Sequence, residues 1–196
     1  MLTFNEKEHK YYYGGKELPS VSKIMESISC HFYSNIPQMA LDIACDRGTQ
    51  IHKAIYDFEL FGDYEIEDKY KPYFESYLKF KEDYKPEILH QEKMLTNGEF
   101  AGTIDYICKI DNELWLIDHK TSKEIHENLI AVQEYGYKEL CVYNGIKIDK
   151  FGVLHLRKDG YELREITPNK EMWDICKKCY EYGKNDDKWK KDTKQY

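Results

Sequence analysis

Two aspartates and a lysine mark the place where this chain can do chemistry. They lie in residues 100–123, FAGTIDYICKIDNELWLIDHKTSK, where residues 100–110 and 114–119 are rich in β-branched and aromatic side chains. That composition predicts two short strands. Asp111 and Asn112 stand between them, and both tolerate the positive φ of a two-residue hairpin loop. With that loop Ile110 pairs with Glu113, and the same register carries along the hairpin to set Asp105 opposite Asp118. The two carboxylates then share one face, with Cβ atoms about 5 Å apart. Lys120, two residues past Asp118, points to the same face. Like charges set opposite each other destabilise a sheet. A divalent cation between them turns repulsion into attraction, and oxygen ligands suit Mg²⁺ or Mn²⁺. Two acids and a lysine around such an ion form an arrangement that cleaves phosphodiesters. The plainer alternative is a hairpin with solvated acids on an exposed face. Ile104, Ile107, Leu114, Leu116 and Ile117 speak instead for a buried central hairpin, where unpaired acids are costly.

The spacing G-x-x-D followed by D-x-K, here Gly102-Thr103-Ile104-Asp105 and Asp118-His119-Lys120, resembles the PD-(D/E)XK nuclease superfamily. Two more matches resemble its RecB-like branch. Upstream, Gly48-Thr49-Gln50-Ile51-His52 stands in the place of that branch's helical histidine motif. Downstream, Gln133 and Tyr137 match its Q-x-x-x-Y helix. Leu18-Pro19-Ser20-Val21-Ser22 resembles the lead-in segment of small phage and organellar exonucleases of this type. The matches span residues 18–143. The resemblance implies that His52 completes the ligand shell of Asp105 and Asp118 or holds a second ion, with the backbone carbonyl of His119 as a further ligand. Glu92, on the preceding strand, is read equally as a metal-site acid or as an exposed strand glutamate. The resemblance further implies DNA as substrate, with Gln133 and Tyr137 holding phosphate or bases and buttressing the site.

Bulk properties bound these expectations. A chain of 196 residues suits one domain with a sizeable core, taken as residues 1–196. Charged residues make up 33% and hydrophobic ones 41%, a globular balance. No apolar run approaches the ~20 residues of a membrane span. MLTFNEKEHK has no signal-peptide core, so a cytoplasmic setting in a bacterial or phage-infected cell is expected. The net charge of −7 runs against the basic character usual in nucleic-acid binders, although acids in a metal site account for part of it. Six unevenly spaced cysteines read as reduced thiols. Some RecB-like relatives hold an iron–sulfur cluster. Here Cys30 or Cys45 precedes the histidine motif and Cys141, Cys176 and Cys179 follow, but the tight C-terminal trio is missing and no cluster is expected.

The elements that must position these residues follow in order. Residues 1–18 read as a small hairpin with a turn near Gly14-Gly15. Ser20 caps a helix reaching residue 28. Residues 34–47 form a helix that Gly48 interrupts, and Thr49 caps a second one to residue 60, with His52 in its first turn. Residues 70–84 repeat aromatics at helical spacing and pack as core. Residues 88–95 are the first strand of the sheet. A helix over 125–143, stopped near Gly145, carries Gln133, Tyr137, Ile130 and Leu140 as one stripe. Residues 151–157 and 161–166 pair around Asp159-Gly160. Thr167-Pro168 opens a helix to residue 182, stopped by Gly183. The last thirteen residues read as a solvated lysine-rich tail.

The expected fold is α/β: a restriction-endonuclease-like core, a mixed central sheet flanked by helices, with an N-terminal helical segment. The expected activity is that of a Mg²⁺- or Mn²⁺-dependent DNA exonuclease acting on single-stranded or free-ended DNA in phage-type recombination, replication or repair. A structure-selective or restriction-type endonuclease and a catalytically silent binding module are the alternatives.

Overall fold

The computed structural model describes residues 1–184; the expected C-terminal tail lies outside the described residues, apart from Lys184. Three short strands open the chain, β1 (Leu2–Asn5), β2 (Lys10–Tyr13) and β3 (Lys16–Leu18). They form an antiparallel meander rather than the single hairpin expected. Gly14 and Gly15 make the β2–β3 turn with φ of 57° and 81°, values costly for a residue with a Cβ. The next helix is broken in two: α1 (Val21–Ile24) and α2 (Glu26–Tyr33) meet at Met25. Ser20 caps α1 as expected, its Oγ accepting the Lys23 N–H at 2.9 Å.

α3 (Gln38–Phe61) corrects the sequence reading more substantially. It runs unbroken for 24 residues through Gly48, so Thr49 is no cap and His52 stands in mid-helix. A glycine in a helix interior costs only about 1 kcal/mol relative to alanine. Tertiary contacts on both sides of it outweigh that cost. Asp46 accepts the Tyr70 hydroxyl at 2.9 Å, Arg47 Nε donates to Thr121 Oγ1 at 3.2 Å, and Ile51 is fully buried.

After a 3₁₀ turn and α4 (Lys71–Tyr84) comes the main sheet: β4 (Glu87–Thr96), β5 (Ala101–Ile110), β6 (Glu113–Lys120), β7 (Lys150–Arg157) and β8 (Gly160–Glu165), in that spatial order. β6 and β7 are parallel, joined across one face by α5 (Glu127–Tyr143); the other neighbours are antiparallel. The sheet is therefore mixed. α6 (Lys170–Lys184) closes the described chain. It starts three residues later than expected, with Asn169 Oδ1 accepting the Met172 N–H, and it runs through Gly183. Among the described residues no helix is long and apolar enough to cross a membrane.

Both faces of the sheet are covered. On one, Val21, Ile104, Ile107, Leu116, Leu140 and Trp173 join α1, α5 and α6 to the strands. On the other, Ile51, Ile55, Phe74, Tyr77 and Phe80 of α3 and α4 pack on Tyr106, Ile117 and Leu154. Of the cysteines, Cys141 and Cys176 belong to the first core, Cys108 to the second, and Cys30 and Cys45 are exposed.

Gly102 sets how closely α5 lies on β5. A Cβ there would meet Tyr137 Cε1 at 2.8 Å, closer than such atoms come, so the tyrosine ring lies where only glycine leaves room. Gly102→Ala is therefore expected to destabilise the fold by about 1–3 kcal/mol, the usual cost of overpacking. Urea unfolding measures it, and an unchanged midpoint would mean the Tyr137 ring shifts without cost.

Candidate active site

The β5–β6 hairpin has the register read from its sequence. Ile110 pairs with Glu113 and the ladder runs to Tyr106 opposite Ile117. Asp111 and Asn112 form the loop with φ of 51° and 65°. Asp105 and Asp118 come next along the two strands, beyond the last pair, where the backbone ladder stops. Asp105 Oδ2 accepts the N–H of His119 at 2.8 Å, so a carboxylate takes the place of a ladder carbonyl.

α3 lays His52 over this point. Its Nε2 lies 3.2 Å from the carbonyl oxygen of His119, and its Nδ1 faces Glu92 Oε1 at 3.4 Å and Asp105 Oδ1 at 3.7 Å. Glu92 reaches the site from β4 with φ of 45°, bracketed by the pairs Gln91–Tyr106 and Lys93–Ile104. A non-glycine residue held left-handed costs roughly 1–2 kcal/mol, and such strain concentrates at functional positions. Burial alone would push His52 down, but Asp105 and Glu92 overcome it and raise it from 6.5 to about 9.

Asp118 is differently engaged. Lys120 Nζ spans both its oxygens, at 2.9 and 2.7 Å, with the aspartate side chain almost fully buried and the lysine side chain about a third exposed. Burial pushes both aspartates above the usual carboxylate range, against the pull of Lys120 and His52. Lys120 is raised: its burial acts to lower it, but Asp118 and Asp105 outweigh that. His119 goes the other way. Burial, then the positive charges of His52 and Lys120, hold it well below its usual value, so its ring is the neutral form that ligates metals.

One nitrogen each from His52 and His119 and one oxygen from Asp105 lie within 4.8 Å of one another, close enough to hold one ion. Glu92, and Asp118 once Lys120 moves aside, stand at the margin of this group. The buried Nε2 of His119 has no hydrogen-bond partner. The sequence reading paired Asp105 with Asp118 and offered His119 through its carbonyl. The compact donor set instead joins Asp105 to two imidazoles. A mixed nitrogen–oxygen set suits Mn²⁺ and other first-row ions better than Mg²⁺, which favours oxygen alone.

Gln133 and Tyr137 hold the site from behind. Gln133 Nε2 donates to Asp118 Oδ1 at 3.3 Å and to the Tyr137 hydroxyl at 3.1 Å, while the tyrosine ring lies on Gly102. The sequence reading passed over Glu134, beside Gln133. It is fully buried and neither carboxyl oxygen has a hydrogen-bond partner. Burial first, then Asp118, raise it well above 4.5. Its signal was present in the sequence: residues 130, 134, 137 and 141 form one helical stripe, and 134 is the charged member.

No family model and no curated protein matches the chain. Among solved structures, one described as SSO0001 is similar over 56% of this chain at 19% identity and a TM-score of 0.35; this chain spans about half of that one, 54%. A phage-related exonuclease from Haemophilus somnus 129PT is similar over 84% of this chain and 90% of its own, at 12% identity and a TM-score of 0.39.

The raised His52 gives a pH dependence. The proton bound there stabilises the metal-free fold fully below 6.5, and that contribution is lost as pH rises toward about 9. An ion ligated by His52 competes with the same proton. The Mn²⁺-induced rise in melting temperature is therefore expected to grow across this window, and Asp105→Asn to remove most of it. A pH-independent shift would place the ion away from His52. Glu134 acts in the same direction: its raised carboxyl makes the fold lose stability as pH climbs above about 4.5. Glu134→Gln is expected to be more stable than wild type at neutral pH in denaturant unfolding. A less stable variant would mean Glu134 makes a favourable contact in its charged form.

Proposed function

We propose that the chain is a metal-dependent nuclease that hydrolyses DNA phosphodiester bonds, acting from free ends and preferring single strands. One observation carries this reading: a buried and a largely buried carboxylate, a neutral imidazole and a lysine ammonium converge at the end of one hairpin, where a fold alone gains nothing from crowding them.

Asp105, His52 and His119 would hold the ion, with Asp118 adding an oxygen. A bound divalent cation would act as a Lewis acid on a phosphate oxygen and lower the pKa of a coordinated water. The chain's own residues do the rest. Asp118 and Asp105 are the groups that raise Lys120, so neutralising them leaves its burial to lower it. The amine then moves toward a base able to take the proton of the attacking water. While still charged it stabilises the negative charge that develops on the phosphate. Gln133 fixes the Asp118 carboxylate from behind. Water attacks phosphorus in line and the P–O bond to the departing strand breaks.

The resemblance to RecB-like nucleases, carried by Gly102, Asp105, Asp118, Lys120, His52, Gln133 and Tyr137, supports DNA as the substrate and phage-type recombination, replication or repair as the setting. Lys120→Ala is expected to keep metal-induced stabilisation while losing about 10²-fold or more in turnover, the usual worth of a positioned proton-transfer group. End-labelled linear single-stranded DNA should be degraded and covalently closed single-stranded circles should survive. Efficient cutting of the circles would make the enzyme an endonuclease; Lys120→Ala within a few-fold of wild type would remove the lysine from the mechanism.

A further inference from the structure

The N-terminal meander reaches the site through one side chain. Its own core is slight: Tyr11 and Leu18 are buried with Ala101, and Leu2 and Phe4 pack beside them. It is tied to the start of β5 at two points. The Ala101 N–H donates to the Pro19 carbonyl at 2.9 Å, and the Tyr11 hydroxyl lies 2.7 Å from Thr103 Oγ1. Thr103 and Asp105 stand two apart on β5, so their side chains leave the same face. Along that face Asp105 meets His52 and Thr103 meets Tyr11. The Tyr11 hydroxyl is near enough to Glu92 and Asp105 for their charges to act on it.

The two hydroxyls carry two protons between them, and one bond uses only one. The second proton has no acceptor among the described residues. Tyr11 is only 5% exposed, whereas Thr103 is half-buried and partly open. Burial raises the phenol above its usual range, so it stays protonated beside the two acids. A phenol is also the more acidic hydroxyl and the better donor. Tyr11 therefore donates to Thr103 Oγ1, and Thr103 keeps its own proton to give. A hydroxyl polarised in this way is a stronger donor than an isolated one. To pin the meander on β5, a phenol on a backbone carbonyl would suffice; a hydroxyl as the acceptor is what leaves a donor over.

We propose that the Tyr11–Thr103 hydroxyl pair is a phosphate-binding subsite of the nuclease site, in which Thr103 donates to an oxygen of the phosphate next to the one being cut and Tyr11 positions Thr103. The inference rests on the nuclease reading above and adds to it a named contact on the DNA strand. Two observations select a phosphate. The unused group is a donor, and phosphate oxygens are strong, charged acceptors. It is also neutral: a further cation among Glu92, Asp105 and Asp118 would close on an acid, as Lys120 does, whereas a hydroxyl stays free for the ligand. Spacing selects the neighbouring phosphate. Two strand residues set Thr103 about 7 Å from Asp105, a step comparable to that between successive phosphates of an extended DNA strand.

Fluorescence anisotropy with a short labelled oligothymidylate tests this in the Lys120→Ala background, which blocks cleavage. Thr103→Val should weaken binding about tenfold or more, the usual worth of a hydrogen bond to a charged group. Tyr11→Phe should cost less, about threefold, because Thr103 keeps its proton. Thr103→Ser keeps the hydroxyl and should bind like the parent. None of these changes removes a charge, so the salt dependence should keep its slope. Single methylphosphonate linkages, scanned inward from each end of the oligomer, locate the contact. At one linkage the substitution should cost the parent more than it costs Thr103→Val. Full affinity in Thr103→Val would overturn the subsite and leave the nuclease reading intact. So would a loss that is the same at every linkage, since the hydroxyls would then only hold the meander in place. If the parent binds no DNA and the wild type cleaves none, the nuclease reading falls and the subsite with it.

Discussion

The structure turns on a crowding of buried negative charge. Asp105 and Asp118 stand just past the last paired rung of one hairpin, Glu92 reaches in from the neighbouring strand, and Glu134 lies buried behind. Taking several carboxylates out of water is unfavourable unless each has a counter-charge or a proton. The surrounding elements supply these. α3 brings His52, held as a cation between Asp105 and Glu92. β6 brings Lys120, closed on Asp118. Glu134 is held toward its protonated form. His52 and Lys120 occupy the places that a divalent ion would contest.

Motif spacing becomes physical through one chain of contacts. Gly102 has no Cβ, so the Tyr137 ring lies against β5. The Tyr137 hydroxyl accepts from Gln133, and Gln133 reaches Asp118. The glycine three residues before one aspartate thus fixes the orientation of the other through a helix that comes later in sequence. Packing at Gly102 and electrostatics at Asp118 are two ends of one device.

Much of this was legible in the sequence where the determinants are local. A two-residue loop sets a hairpin register by itself, so the pairing from Ile110–Glu113 to Tyr106–Ile117 followed from Asp111 and Asn112. The α4 aromatics and the β7–β8 turn were equally local. What failed depended on tertiary context. Gly48 reads as a helix break, but contacts from Tyr70 and Thr121 carry α3 through it, moving His52 from a first turn to mid-helix. The third N-terminal strand was missed because Lys16–Leu18 is too short to show a pattern. Glu134 was hidden by its neighbours Gln133 and Tyr137, whose motif drew attention to their own spacing. The closure of Lys120 on Asp118 is a tertiary contact that residue spacing does not reveal.

On the reading proposed above, this charge cluster is a metal site whose counter-ions give way when the ion arrives. Anomalous diffraction from a crystal soaked in Mn²⁺ tests it most directly. The account predicts a manganese peak within coordination distance of Asp105 and of at least one of the His52 and His119 rings, with the Lys120 ammonium withdrawn from Asp118. A crystal with no peak at this position, or with one elsewhere while the Lys120–Asp118 pair stays closed, would contradict it.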